Sequence, residues 1–383
     1  MTSRAALVVV TTSFPMTSDG SEAAGSFVSD FAEELAQHVP VRVVAPGLAG
    51  TREQWADSVD LFRFKAPGKP LSALNPLNPS DLRAIHQVLK TGSAATQEAL
   101  RAGPTAHILA LWALPSGHWA RLAARATGVP YSVWTLGSDI WSLGRIPLVR
   151  SYLRRVLREA HTCYSDGLKL ADDTRRICGR EVEFLPSTRR IENTRTAPLS
   201  SAPPYRLLFL GRWHPNKGVD LLIDALNLLS DEDWQRIKAV EISGGGPMEA
   251  EVAAGAEALR AIGRPVELRG YLAKPAAEEA ILRADYLLIP SRIESIPVVF
   301  SDASKLRCPV VAMPVGDLEL MVTAIPACGV LAEEVSGPAF CRAIRAALAS
   351  APSAFDQGLA RVTERFDMAR IGERLCQRLL GYA

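Results

Sequence analysis

The chain has 383 residues, 48% of them hydrophobic and 22% charged, with a formal net charge of +2. Such a composition folds and exceeds what one ordinary core holds, so it predicts two domains and excludes a disordered chain. The near balance of charge also excludes the basic footprint of a nucleic-acid binder. Six scattered cysteines (Cys163, Cys178, Cys308, Cys328, Cys341, Cys376) form no Cys-x-x-Cys pair and read as reduced thiols of a cytoplasmic protein. No apolar run reaches the ~18 residues of a spanning helix. The opening MTSRAALVVVTTSFP has only AALVVV as an apolar core and no cleavage signature after it, so it reads as a first strand rather than a signal peptide.

In chain order, strands are predicted at 6–12, 41–47, 60–65, 107–112, 131–137 and 162–165. Between the first two, Phe27, Phe31, Leu35 and Val39 recur at helical spacing and predict a helix over 26–39. The Pro- and Asn-rich segment 66–80 reads as a loop. Residues 186–206 lack periodicity and are rich in Pro, Ser, Thr and Arg, which predicts an interdomain linker at 191–204. A second series of strands follows at 205–211, 239–246, 266–272, 285–291 and 309–314, again separated by helical patterns. Strands alternating with helices predict an α/β protein with parallel sheets. The domains expected are 1–190 and 205–365, two Rossmann-like units facing a cleft, with a last helix over 366–383.

Three strand ends in the second half carry chemistry. In FLGRWHPNKGVDLLIDAL (209–226), Gly211 and Arg212 close a strand, and Lys217 and Gly218 precede a helix. A guanidinium fork and an ammonium together suit a diphosphate, although a plain basic turn has the same pattern. EISGGGPMEAEV (241–252) ends a strand on three glycines, Gly245 among them, which permit close backbone approach. It lacks the Gly-Lys-Ser/Thr of a phosphate loop, and a sharp turn is the alternative. In DYLLIPSRIESIPVVFSDASK (285–305), a strand runs into a loop bearing Arg292 and Glu294, then a helix bearing Asp302. A helix start there offers free N–H groups to a phosphate. Asp302 falls about 10 Å further along, wider than a paired-acid hydrolase centre needs. Dipole stabilisation explains Glu294 equally well, and a solvated helix face explains Asp302.

Taken in order, GRWHPNKG, GGGP, RGYL and ESIPVVFSD resemble the donor domain of GT-B-fold glycosyltransferases of family 4 (glycosyl transferases group 1). The resemblance extends to the first β-α unit, where Gly25 matches a loop glycine that approaches donor phosphate or acceptor. It implies a retaining, metal-independent transfer of sugar from a nucleotide-sugar donor, with no cofactor. Arg212 and Lys217 would stabilise the leaving diphosphate, and Glu294 would hold sugar hydroxyls. Backbone near Ser295 and Ile296 would meet phosphate, and Tyr271 and Leu272 would edge the nucleobase. Asp302 stands where the family has a ribose-binding Glu. The last helix is expected to cross back onto the first domain.

The first domain departs from the family at LALWALPSGHWA (109–120) and WTLGSDIW (134–141). Trp112, Pro115, Gly117, Gly137 and Asp139 match, but Leu109, Leu111 and Leu136 stand where histidines are usual. Asp139 and His118 are the acceptor-side candidates, with a surface or capping role as the alternative for His118. Arg145, Arg150, Arg154, Arg155 and Arg158 lie along 145–161 with an apolar stripe of Val149, Leu153, Val156 and Leu157. This is either a core-facing helix with a solvated basic face or a peripheral contact with the inner membrane surface, serving a sugar or lipid-linked acceptor. Asp231-Glu232-Asp233 imitates a metal signature but follows a helical segment and reads as a solvated loop, so no metal site is expected. A catalytically silent partner subunit and a nucleotide-sugar epimerase remain as alternative readings.

Overall fold

A computed structural model of the chain describes residues 5–17, 25–67, 74 and 78–381. It divides into two compact units, the first holding the N-terminal part through Pro186 together with the segment from Met368 on, the second holding Ser187–Asp367. Part of the loop expected at 66–80, and of the stretch before Gly25, lies outside the described residues.

The first unit contains β1 (Ala6–Val10), β2 (Val41–Gly47), β3 (Thr51–Ala56), β4 (Val59–Lys65), β5 (Thr105–Leu111), β6 (Tyr131–Thr135), β7 (Cys163–Ser165) and β8 (Glu183–Phe184). They form one sheet in the order β3-β4-β2-β1-β5-β6-β7-β8. Along β1, Val8 and Val10 enter one apolar layer and Leu7 and Val9 the other, as expected of a strand covered on both faces. The helix Ser26–Ala36 ends before the expected 39 and buries Phe31 and Leu35 of the expected stripe together with Val28 and Ala32, while Phe27 is half-buried and Val39 is buried beyond its end. The helix Met368–Leu380 joins the same layer through Ile371, Leu375, Cys376 and Leu379. Gly372 lets it approach closely, since a Cβ there would lie 2.9 Å from Glu34 Cγ.

β3 departs from the expected parallel order, because it pairs antiparallel with β4. It is a largely exposed edge strand of sequence TREQWA, so it has no apolar alternation to betray it. The helix Pro147–Glu159 buries Leu153, Val156 and Leu157 and exposes Arg150, Arg154, Arg155 and Arg158, while the exposed Arg145 lies in the turn before it.

The second unit contains β9 (Tyr205–Arg212), β10 (Ile237–Gly245), β11 (Val266–Arg269), β12 (Tyr286–Ile289), β13 (Val310–Ala312) and β14 (Gly329–Leu331). Their order, β11-β10-β9-β12-β13-β14, reverses direction between β9 and β12, and open parallel sheets bind ligands at the strand ends beside such a reversal. Residues 187–204 belong to this unit and are bonded along its surface. Asn193 donates to the buried Glu278 from its backbone and its side chain, and Arg195 donates to the carbonyls of Ile281, Ala284 and Leu306. The segment expected as an interdomain linker is irregular and anchored along this unit. Asp231-Glu232-Asp233 opens a short helix, Asp231–Gln235, instead of a solvated loop, with Asp233 and Ser230 forming a reciprocal cap.

Candidate functional site

The loops following β9 and β12 meet because those strands are neighbours, with Leu207 opposite Tyr286. After Arg212, the Trp213 N–H bonds the Gly245 carbonyl at 2.8 Å, tying the β9 and β10 ends together. His214 then accepts from the Asn216 N–H through Nδ1 at 3.2 Å and starts the turn Pro215–Lys217. Gly218 ends that turn at φ +65°, and a Cβ there would lie 1.9 Å from the Pro290 carbonyl oxygen. Only glycine combines that conformation with such an approach to the β12 loop.

This packing brings Lys217 Nζ to 2.5 Å from Glu294 Oε1, with Ser291 Oγ donating to the same oxygen at 2.9 Å. Arg292 braces the arrangement: its N–H donates to the Asn216 carbonyl and its guanidinium to the Pro215 carbonyl, each at 2.8 Å. The guanidinium also grips both Asp220 oxygens, at 2.7 and 2.5 Å. That fork raises the Arg292 pKa and lowers that of Asp220. Arg212 is exposed at the end of β9. Ser295 and Ile296 are buried before the helix Val298–Lys305, and Ser295 Oγ has no hydrogen-bond partner among the described residues. Trp213 Nε1 is likewise buried and unpartnered. Two such orphans on adjoining loops call for an explanation, and a polar ligand supplies one.

Tyr271 is 62% exposed, yet its hydroxyl donates to the Gly245 carbonyl at 2.6 Å and its ring lies where a Gly245 side chain would be. Leu272 beside it is half-buried. Gly211, Gly245, Arg212, Lys217, Glu294, Ser295, Ile296, Tyr271 and Leu272 thus all fall at strand ends on the C-terminal edge of one sheet. Asp302 does not join them as an open carboxylate. It is fully buried, and Arg189 holds its Oδ2 through Nε at 3.0 Å. Burial and that ion pair argue against the expected ribose contact.

In the first unit, Gly25 has φ +80° and packs on Phe14, where a Cβ would meet backbone at 2.7 Å. Asp139, expected to face an acceptor, is 1% exposed and turned inward: Oδ2 accepts from the Ala113 N–H at 2.7 Å and Oδ1 from the Leu136 N–H at 3.3 Å. It joins the ends of β5 and β6, and burial raises its pKa to about 6. His118 faces the basic helix, with Nδ1 2.5 Å from Tyr152 Oη. Burial, then Arg121, lowers its pKa. Leu109 and Leu111 are fully buried and Leu136 packs against the same layer, so the apolar residues in place of histidines complete a core. Among the described residues no group of three His, Cys, Asp or Glu side chains could hold a metal ion.

Sequence reasoning missed Asp220 as the partner of Arg292 and Arg189 as the partner of Asp302. No local spacing signals either, since the pairs are separated by 72 and 113 positions.

A glycosyl transferase 4-like domain matches residues 23–186, and a glycosyl transferases group 1 domain matches residues 204–350. With these two domains in order on two parallel-sheet units, the chain belongs to the GT-B glycosyltransferases of family 4. A D-inositol 3-phosphate glycosyltransferase from Jonesia denitrificans is 34% identical over 120 residues, which are 30% of this chain and 28% of that relative. The match therefore spans less than a third of either protein. Among solved structures, the chain is similar to a sucrose-phosphate synthase from Thermosynechococcus elongatus, with TM-score 0.75, 17% identity, and 99% and 100% of the two chains covered. It is also similar to HepE from Anabaena in complex with UDP, with TM-score 0.69, 16% identity, and 98% and 99% covered. Identities this low establish likeness of fold.

Proposed function

We propose that the chain transfers a sugar from a nucleotide-sugar donor to an acceptor hydroxyl, with retention of anomeric configuration and without a metal. The observation that carries this reading is the Lys217–Glu294 pair at the β9 and β12 ends, with exposed Arg212 on the same sheet edge. A diphosphate leaving group needs cations at its oxygens, and a transferred sugar needs a carboxylate to hold its hydroxyls. In this reading Arg212 and Lys217 stabilise the departing charge, Glu294 orients the sugar, and the Ser295–Ile296 backbone meets phosphate. Tyr271 and Leu272 edge the base. UDP is the first nucleotide to test, because solved structures of similar fold hold it.

Thermal shift with UDP, GDP, dTDP, ADP and CDP tests the donor site, since a ligand of the native state raises the melting point. One nucleotide stabilising the wild type but not Lys217→Ala supports it; no shift at millimolar nucleotide removes it.

The acceptor side belongs to the first unit in this proposal, with a sugar or lipid-linked acceptor. Leu148 is 87% exposed beside Arg145, Arg150, Arg154 and Arg155, a combination suited to the surface of an anionic bilayer. Among the described residues no helix is long and apolar enough to cross a membrane. Flotation with phosphatidylglycerol vesicles, against phosphatidylcholine vesicles, tests that contact; no difference between the two removes it.

A further inference from the structure

We infer that Arg292 is the positioning residue of the donor site, acting through Lys217. The inference rests on the donor reading above and goes beyond it. It begins from an economy of contacts: one side chain and its own backbone N–H hold two successive carbonyls of the β9 loop and an aspartate in the first turn of the helix Val219–Asn227 that follows it. The guanidinium takes the Pro215 carbonyl at 2.8 Å and both oxygens of Asp220, and the N–H takes the Asn216 carbonyl at 2.8 Å. Lys217 is the residue between those anchors. Glu294, its ion-pair partner, is two residues beyond Arg292 on the β12 loop. The bridge thus fixes the two loops in one register on either side of the pair whose separation matters.

Lys217 is partly exposed, its side chain at 36%, and among the described residues its ammonium is held by Glu294 alone, so its place depends on the turn that carries its backbone. Arg292 has the right chemistry for the brace, because a planar fork meets a carboxylate with two parallel bonds and leaves a further N–H for a carbonyl. A lysine at 292 supplies charge without the fork. Arg292 touches no proposed ligand group in this arrangement; it acts by ordering the turn that carries Lys217.

The test is a double-mutant cycle in UDP binding, measured by titration calorimetry on the full chain. Arg292→Ala is expected to weaken UDP about tenfold in the wild-type background but less than about twofold in Lys217→Ala, because its effect passes through that ammonium. Arg292→Lys is expected to recover less than half of the loss. Asp220→Asn removes the orienting charge with little change of shape, and a weakening of about threefold, absent in Lys217→Ala, is expected. It carries the test if Arg292→Ala does not fold. A merely structural role lowers the melting point and leaves UDP affinity unchanged, or weakens it equally in both backgrounds; either result overturns the inference while leaving the donor site standing. Wild-type protein that binds none of the five nucleoside diphosphates overturns the donor reading and this inference together.

Discussion

Lys217 and Glu294 are 77 residues apart in sequence and 2.5 Å apart in space, at the ends of two adjacent strands. The ammonium that the proposed mechanism assigns to a diphosphate is thus also the partner of a carboxylate. Phosphate oxygens must compete with Glu294. Glu294→Gln should release Lys217, and an ion pair of about 0.2–1 kcal/mol corresponds to a tightening of UDP by up to about fivefold. Sugar transfer should fall by roughly 100-fold in the same variant, since its carboxylate no longer holds the sugar. Calorimetry and product formation check the two halves separately.

Arg189 and Asp302 make a second prediction. The Asp302 side chain is wholly buried and that of Arg189 is 12% exposed. Arg189→Met should strand a buried carboxylate and destabilise the protein by about 3–5 kcal/mol. Adding Asp302→Leu should restore most of the loss. Chemical denaturation of both variants checks it, and a double variant no better than the single would contradict it.

Asp139 gives a third. Asp139→Ala leaves two buried N–H groups without acceptors and should cost about 2–4 kcal/mol. Its pKa is raised from 3.8 to about 6, so its proton is held more tightly in the folded state. The stabilisation from that proton is complete below pH 3.8 and is lost as the pH rises through about 6. Denaturation of the wild type and Asp139→Asn across that window should show the slope removed in the variant.

His107 pulls the other way. It is 1% exposed, 2.9 Å from Ser132 Oγ, and burial with the nearby His161 lowers its pKa to about 4. Its contribution is complete above pH 6.5 and is lost as the pH falls through about 4, amounting to about 3 kcal/mol at the acid end. His107→Gln should flatten this acid limb in a pH series of unfolding midpoints.

Much of the second unit's strand layout was legible because its signals are local. Apolar runs ending in glycine or proline marked β9, β10 and β12, and strand ends are where ligands gather, but the roles given to Arg212, Lys217 and Glu294 came from the family resemblance. What escaped the sequence depends on partners distant along the chain. Asp302 looked like a solvated or ligand-facing carboxylate until Arg189 closed over it. Asp139 sat in a turn that resembled a binding loop, and only the fold shows its oxygens meeting N–H groups from two strand ends. β3 escaped for a different reason: an exposed edge strand buries too little to impose a pattern.

The segment from Met368 on packs with the first unit, while among the described residues the second unit is Ser187–Asp367. In topological terms the second unit is a cassette inserted into the first. Cutting the chain after Asp367 would strip the first unit of the apolar cover provided by Ile371 and Leu375, even though the excised residues lie at the far end of the sequence. An exchange of the second unit between relatives, which the proposed donor site would make an exchange of donor specificity, should therefore replace the cassette between its two junctions and retain the host's own last helix.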